Sequence, residues 1–501
     1  MKLLSPQQIH EWDAYTIVHE PIASIDLMDR AARSCTDFII EHNFRQEQIF
    51  IFCGKGNNGG DGLAIARQLI EAGLSPVVYI LEFGAKGTDD FQTNLHRLHQ
   101  LTSAIHFIQS IEFFPAIDSN TALVIDALYG SGLNRPLKDM SATLVTHINN
   151  SNATVISIDV PSGMFIDKSS KDNPVIEATY TLTFQSLKLC FVVAENAALF
   201  GTVSVLDIAL SNLFLQTVEA PLLLSKQLVA IHYKQRTDFA HKGTHGHALL
   251  IAGSKGKMGA AILAAKACLK TGAGLITVHT DENYFNAVHA ALPEAMCIAS
   301  SDAIDYTVYK SVGLGPGIGT IDESAIRVAA TLTQFDKPTV IDADALNIIA
   351  ANKGWLENIP AGSILTPHQK EFERLFGKNN NDFERIEKAI NLSKDYPFII
   401  VLKGHYTLIA SKGEAWFNTT GNPGMAKGGS GDILTGMLTA LLAQGYNPLQ
   451  AALTGVYLHG LAADIAAQYI ARESMLATDI IDRISDAILS LQETDDTASL
   501  F

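Results

Sequence analysis

Short, almost unbroken apolar runs recur along the chain, each ended by a polar or glycine turn and most followed by a stretch of helical period. In the first half they are IFIFC (49–53), PVVYIL (76–81), ALVID (122–126) and TVISID (154–159). A strand with one wet face alternates apolar and polar residues, whereas a strand covered by helices on both faces does not. The pattern predicts an α/β fold with a doubly wound parallel sheet. After TYTLTFQSLKLCFV and GTVSVLDIAL the alternation closes near Leu210. It restarts with HALLIAG (247–253), LITVHT (275–280), SVGLGPG (311–317), PTVIDADAL (338–346), SILTPH (363–368) and FIIVLKG (398–404). A chain of 501 residues exceeds one ordinary core, so two α/β domains are expected, at 1–218 and 225–495, the first a Rossmann-like three-layer α/β/α sandwich. Ser5, Pro6 and Gln8 predict a capping box at the first helix, a second helix is expected from about Ser24, and the tail ETDDTASLF is expected to fray.

The net charge of −16 argues against a general nucleic-acid or anionic-membrane surface, and no basic run overrides it. An anionic substrate must therefore be held by local donors. The five cysteines are scattered without CxxC spacing and read as reduced intracellular thiols. MKLLSPQQIHEW is too poor in apolar residues for a signal sequence and no run approaches membrane-spanning length, so the chain is expected to be cytoplasmic.

The loop GKGNNGGDG (54–62) lies between IFIFC and the helical LAIARQLIEAG. Gly54, Gly56 and Gly59 match the G-x-G-x-x-G spacing of a dinucleotide-binding turn, with Glu82 ending the next strand. Asp61 opposes that oxidoreductase reading. Placed at the helix start, it would repel a pyrophosphate, while a carboxylate itself is at ease there. A Walker loop is excluded, because Gly60-Asp61 stands where Lys-Ser/Thr is required. Asn57 and Asn58 add amide groups, and a plain tight turn with a capped helix is the alternative. Two more loops shift the balance: Asp126 ends ALVID ahead of ALYGSGLNRP, and Asp159 ends TVISID ahead of VPSG and its Ser162. Ligands of open α/β sheets bind outside the strands' carboxyl ends, so Asn57, Asn58, Asp61, Asp126 and Asp159 are expected to converge there. Grouped acids point to a cation, a base or both, and amide, carboxylate and hydroxyl oxygens suit a hard ion.

In the second half NPGMAKGGSGD (422–432) opens into ILTGMLTALLAQG. The N–H groups of Gly428, Gly429, Ser430 and Gly431 at a helix N-terminus make an anion hole, with Asp432 beside it as a base toward a hydroxyl. Such a site suits phosphoryl transfer; the alternative is a glycine-rich cap whose Asp432 complements the helix dipole. Companion loops AGSKGKMGA, GPGIG, DADALN, TPHQKE and KGHYT follow strands. His368 in TPHQKE can face a ligand or be an ordinary surface histidine.

As a set, LLSPQQIHEWD, LMDRAA, GKGNNGGDG, DALYGSGLNRP and IDVPSG resemble the NAD(P)HX epimerases across the first half. The resemblance implies that hydrated nicotinamide dinucleotide is held by Asn57, Asn58, Gly59, Gly60, Asp61, Gly130, Ser131, Gly132, Leu133, Asn134, Arg135, Pro136 and Asp159. It implies potassium at Asn58, Asp126 and Ser162, and Asp159 as the general acid/base. The loops of the second half resemble the ribokinase-like ADP- or ATP-dependent NAD(P)HX dehydratases. There the resemblance implies that Ala260, Gly319, His368 and Asp432 contact the hydrated dinucleotide. Lys403, Gly404, His405, Tyr406, Thr407 and Gly431 would hold the adenine nucleotide, which brings Mg2+. The nucleotide would phosphorylate the substrate hydroxyl with Asp432 as base, and loss of phosphate would restore the ring. Lys257-Met258 departs from the small pair usual before Gly-Ala, at the pocket edge.

Together the halves imply epimerisation and dehydration of damaged NADH or NADPH on one chain. The expected partners are NADHX or NADPHX and ADP or ATP, without nucleic acid or membrane, in a homo-oligomer. The rival is a vitamin-type small-molecule kinase fused to a Rossmann-like ligand-binding domain.

Overall fold

The computed structural model describes residues 1–44, 48–84 and 86–492; the tail 493–501, with the last residues of the expected second domain, lies outside the described residues. The chain divides into two units. One runs from Met1 to Ala220 and takes in Asn381–Phe383, and the other is built from Pro221–Asn380 and the chain from Glu384 onward.

Among the described residues the first unit holds a seven-stranded parallel sheet. Its strands are β1 Gln48–Cys53, β2 Pro76–Leu81, β3 Ile105–Ile108, β4 Ala122–Ala127, β5 Thr154–Ile158, β6 Tyr180–Phe184 and β7 Thr202–Leu206, in the order β3-β2-β1-β4-β5-β6-β7. Strand β1 shows why the apolar runs are unbroken. Ile49, Ile51 and Cys53 enter one core with Leu63, Ile65 and Leu69 of the helix Asn57–Glu71 and with Ala32, Cys35 and Ile39 of the helix Ser24–Glu41. Phe50 and Phe52 enter another, with Leu144, Val145 and Ile148 of the helix Asp139–Asn150. Each such burial contributes roughly 1.5–3 kcal/mol. The helix Pro6–His19 starts with the expected capping box: Gln8 N donates to Ser5 Oγ at 3.3 Å and Ser5 N to Gln8 Oε1 at 3.0 Å.

Among the described residues the second unit holds a ten-stranded sheet: β8 Leu222–Leu223, β9 His247–Ile251, β10 Leu275–Thr280, β11 Met296–Ala299, β12 Ser311–Leu314, β13 Thr339–Ile341, β14 Ile364–Leu365, β15 Ile399–Leu402, β16 Thr407–Ser411 and β17 Glu414–Asn418. The order is β11-β10-β9-β12-β13-β14-β15-β16-β17-β8. From β11 to β15 the pairing is parallel, but β15 to β17 is an antiparallel meander, which departs from the expected strand-then-helix repeat. Lys412 (φ 51°) and Gly413 (φ 84°) explain the second reversal, because two left-handed residues make the tight turn of a two-residue hairpin. PTVIDADAL is strand only as far as Ile341; a helix takes over from Ala343 to Ala351. The helices Met258–Thr271 and Ser430–Ala443 cross so closely that a Cβ on Gly436 would lie 2.1 Å from the carbonyl oxygen of Ala264.

Each sheet reverses its strand order in its interior, between β1 and β4 in the first and between β9 and β12 in the second. Loops leaving such a pair part in opposite directions and open a crevice at the carboxyl ends. The glycine loop GKGNNGGDG and ALYGSGLNRP flank one reversal, AGSKGKMGA and GPGIG the other. Among the described residues no helix is long and apolar enough to cross a membrane.

Two glycines of the first loop should respond in opposite ways to alanine. A Cβ on Gly59 would lie 1.8 Å from Gly54 O, whereas Gly56, at φ −89°, has nothing within 4 Å. Gly59→Ala is expected to cost about 3 kcal/mol or more in urea unfolding of the first unit and Gly56→Ala less than about 1 kcal/mol; equal effects would contradict this packing.

Candidate active sites

The glycines of the first loop serve packing more than ligand approach: besides Gly59, a Cβ on Gly54 would lie 2.0 Å from Leu128 O. The open positions are Gly56 and, across the crevice, Gly132. The loops converge at Gly130, where a Cβ would lie 3.1 Å from both Asn58 Oδ1 and Asp159 Oδ2. Ser131 N donates to Asp159 Oδ2 at 3.0 Å. Both polar atoms of the Asn58 amide are buried and without a hydrogen-bond partner. Buried amides are rarely left without a partner, and among the described residues this one has none.

Asp159 lies one residue past β5 in the left-handed region (φ 66°), a conformation that non-glycine residues keep mainly where function or surrounding contacts impose it. Its Oδ1 meets Lys188 Nζ at 2.8 Å, and Lys188, buried, also donates to Thr183 Oγ1 at 2.6 Å. Burial opposes a charge on Asp159, but the ammonium of Lys188 outweighs it and holds the carboxyl below its ordinary value. Lys188 did not emerge from the sequence; its signal is a lone lysine inside the apolar LKLCFV.

Asp126, near the end of β4, is fully buried and has hydroxyls and amides in place of a cation. Ser157 Oγ donates to Oδ2 at 2.8 Å and Ser162 N at 2.9 Å, while Ser162 Oγ donates to Oδ1 at 2.5 Å. Burial raises its pKa against these bonds. Asp126 and Ser162 thus touch directly, whereas Asn58 meets Gly130 and Asp159. Asp61 corrects the expectation. It is the fifth residue of its helix, not the cap, and burial, then the charges of Asp159, Asp13 and Asp90, push it well above the ordinary carboxylate range. Beyond the first turn, it has no helix dipole to offset that rise. Asn57, Asn134, Arg135 and Pro136 form an exposed rim, and Leu133 packs partly against the core of Leu128 and Leu137.

In the second unit Gly429, left-handed at φ 99°, caps the helix Ser430–Ala443, and Asp432 lies in its first turn. Burial first, then Asp342, raises the Asp432 pKa to about 6, with Lys403 opposing and Asp344 adding. Lys403 Nζ meets buried Asp342 Oδ1 at 2.8 Å, and Thr435 Oγ1 donates to Oδ2 at 2.9 Å. A Cβ on Gly431 would lie 3.4 Å from Lys403 Nζ and 3.6 Å from Asp342 Oδ2, so Gly431, Lys403 and Asp342 form one cluster with Asp432. Asp342 went unnamed although it ends TVID as Asp126 and Asp159 end their strands. The other wall holds Ala260 and Gly319: Gly319 N donates to Asp344 Oδ2 at 2.8 Å, which Lys257 Nζ meets at 3.1 Å, and a Cβ on Gly317 would lie 3.1 Å from Ala260 Cβ. Lys257, the departure noted above, is tied to that wall. His368 caps the helix Gln369–Phe376, its Nδ1 accepting from Lys370 N at 3.1 Å and Glu371 N at 3.2 Å, and it bridges to Lys403 through the backbone. Gly404 and His405 sit in an exposed turn, with Tyr406 half-buried, and Thr407 begins β16.

A hydroxyl brought to Asp432 would meet a half-buried carboxylate near neutrality beside a lysine and a row of helix N–H groups, the equipment for activating it toward a phosphoryl group. The YjeF-related protein N-terminus family matches residues 24–190, and the NAD(P)H-hydrate dehydratase family matches 248–486. A bifunctional NAD(P)H-hydrate repair enzyme of Moorella thermoacetica is 32% identical over 99% of this chain and 98% of its own. The chain belongs to the bifunctional NAD(P)H-hydrate repair enzymes. The repair enzyme of Coxiella burnetii is 35% identical over 96% of this chain and 98% of its own. The ADP/ATP-dependent NAD(P)H-hydrate dehydratase of Bacillus subtilis, co-crystallised with ATP and Mg2+, aligns with TM-score 0.50 and 32% identity over 55% of this chain and all of its own. Within this repair-enzyme family the two crevices fall one to each matched region.

The Asp159–Lys188 pair sets a stability test. Lys188→Met leaves a buried carboxylate unpaired, at a cost of about 3–5 kcal/mol. The depressed Asp159 pKa contributes stability present above the unfolded carboxylate value of about 4 and lost as pH falls through the folded value. The deficit of the variant in urea unfolding is therefore expected to be full at pH 7 and to shrink below pH 4; a deficit independent of pH would contradict the pair.

Proposed function

We propose that the first unit interconverts the R and S forms of NADHX and NADPHX and that the second dehydrates the S form to NADH or NADPH with ADP or ATP as phosphoryl donor. The observation that carries this reading is Asp432, half-buried at a helix N-terminus beside Gly431 and the Lys403–Asp342 pair. Asp432 takes the proton of the substrate hydroxyl as it attacks the terminal phosphoryl group, and Lys403 with the N–H groups of Gly431 and its neighbours faces the developing charge. Expulsion of phosphate then restores the ring. Ala260, Gly319 and His368 line the dinucleotide side; Lys403 to Thr407 and Gly431 line the nucleotide side. The Bacillus subtilis relative co-crystallised with ATP and Mg2+ supports Mg2+ arriving with the nucleotide here.

In the first unit Asn57 to Asp61, Gly130 to Pro136 and Asp159 bind the hydrated dinucleotide, and Asp159 moves a proton at its hydroxylated carbon. A potassium ion fits Asn58, Asp126 and Ser162: the orphaned amide oxygen, a buried carboxylate with no cationic partner among the described residues and a hydroxyl are the oxygen donors a hard monovalent ion takes. Bound there, it would supply the charge that Asp126 lacks.

Incubation with both epimers and each nucleotide, followed by the return of reduced-nicotinamide absorbance, tests the whole. Full recovery is expected; recovery of one epimer alone removes the first activity, and none removes both. Because Asp432 acts as a base, the dehydration rate should climb with pH through about 6. Asp342→Asn removes the charge that raises Asp432 and should move this limb to lower pH in the kcat profile; an unmoved limb would assign it to another group.

A further inference from the structure

Ala343 stands between two acids of the second unit in the left-handed region, at φ 49°. A non-glycine residue keeps that conformation where its surroundings impose it. The carboxylates on either side of it pair with lysines of different loops. Asp342 Oδ1 meets Lys403 Nζ at 2.8 Å, and Asp344 Oδ2 meets Lys257 Nζ at 3.1 Å. The two pairs differ in how readily they part. The Asp342 side chain is 2% exposed and costly to leave bare, whereas the Lys257 side chain is 53% exposed, and an ion pair so wet contributes little. Gly319 N donates to the same oxygen of Asp344 at 2.8 Å, so that carboxylate keeps a partner when Lys257 leaves.

The backbone of Lys257 is fixed while its exposed side chain is free to turn. Lys257 lies in AGSKGKMGA, one of the two loops that part where the second sheet reverses its strand order. Its N–H donates to Ser254 O at 2.8 Å, and Ser254 Oγ donates to Gly317 O at 2.7 Å, which joins this loop to GPGIG. A Cβ on Gly317 would lie 3.1 Å from Lys257 Cβ and equally close to Ala260 Cβ. Lys257 therefore stands in the wall that holds Ala260 and Gly319.

Resting on the dehydratase reading above, we infer that Lys257 exchanges Asp344 for the pyrophosphate of the hydrated dinucleotide and so sets how tightly the second unit holds that substrate. A pyrophosphate brings further negative charge to a cluster that already holds Asp342, Asp344 and Asp432, and Lys403 is committed to Asp342. An ammonium on a flexible stem suits such an exchange, because it binds phosphate as a point charge. Reach decides between the phosphates. Asp344 is two residues from Asp342, whose Oδ2 would lie 3.6 Å from a Cβ on Gly431, and the charge of Asp344 adds to those that raise Asp432. Lys257 thus stands toward the reacting end of the substrate, where the bridging phosphates are nearer than the 2′-phosphate that distinguishes NADPHX.

The test is nucleotide-driven dehydration by the whole chain with ATP and Mg2+. Lys257→Met is expected to raise KM for S-NADHX about 10-fold or more and KM for S-NADPHX by the same factor, with kcat within about threefold of wild type and KM for ATP unmoved. The preserved kcat shows that the chain is folded. Lys257→Arg should restore most of the affinity, and Asp344→Asn, which releases Lys257, should not raise KM. Lys255→Met removes the other exposed charge of the same loop and should leave KM within about twofold of wild type. Wild-type KM should climb with added salt, and that of Lys257→Met should climb less. The exchange is overturned by a KM for Lys257→Met within about threefold of wild type, an equal effect from Lys255→Met, a larger factor for NADPHX, a raised KM for Asp344→Asn, or a wild-type KM indifferent to salt. If the wild type dehydrates neither substrate, the dehydratase reading itself falls.

Discussion

A carboxylate withdrawn from water must be given a proton, a positive partner or a shell of hydrogen bonds. Three acids in this chain, Asp126, Asp159 and Asp342, are buried at the carboxyl ends of parallel strands, and they meet that demand in two ways. Asp126 is wrapped by Ser157 and Ser162, Asp159 is paired with Lys188, and Asp342 with Lys403 and Thr435. These choices set the character of everything nearby. Burial first, and then the neighbouring carboxyls, Asp159 for Asp13 and Asp61 and Asp342 for Asp432, raise these acids, with Lys188 opposing at Asp13 and Lys403 at Asp432.

The two units reach this arrangement with different parts. In the first, the buried lysine stands after β6 and the responsive acids lie on two helices. In the second, the lysine follows β15 and the responsive acid lies in the first turn of a helix. The first suits rearrangement at a neutral ring; the second adds the positive surroundings that a polyphosphate needs.

Elements with both faces covered were legible in the sequence, because double burial leaves an unbroken apolar run: β2 and β10 occupy the spans read from PVVYIL and LITVHT. Strands at the edges were not. β3 has two exposed positions out of IHFI and β11 begins exposed at Met296, so neither carries that signature. The site was legible where an acid ends an apolar run, as at Asp126 and Asp159. It was illegible at Lys188, whose partner Asp159 lies in a different loop. Asp61 was visible but misread, since its environment is set by acids distant in the sequence.

The crossing at Gly436 fixes more than two helices. The helix Met258–Thr271 carries Ala260 near its start and Ala264 at the crossing, and the helix Ser430–Ala443 carries Gly431 and Asp432 at its start and Gly436 at the crossing. With backbone against backbone, neither helix can slide or be spread by side-chain repacking. The helix start that carries Ala260 and the helix start that carries Gly431 and Asp432 therefore keep a constant spacing, like the jaws of a fixed gauge. For a ligand held between them as proposed, that spacing would set how far its hydroxyl stands from the rest of the molecule.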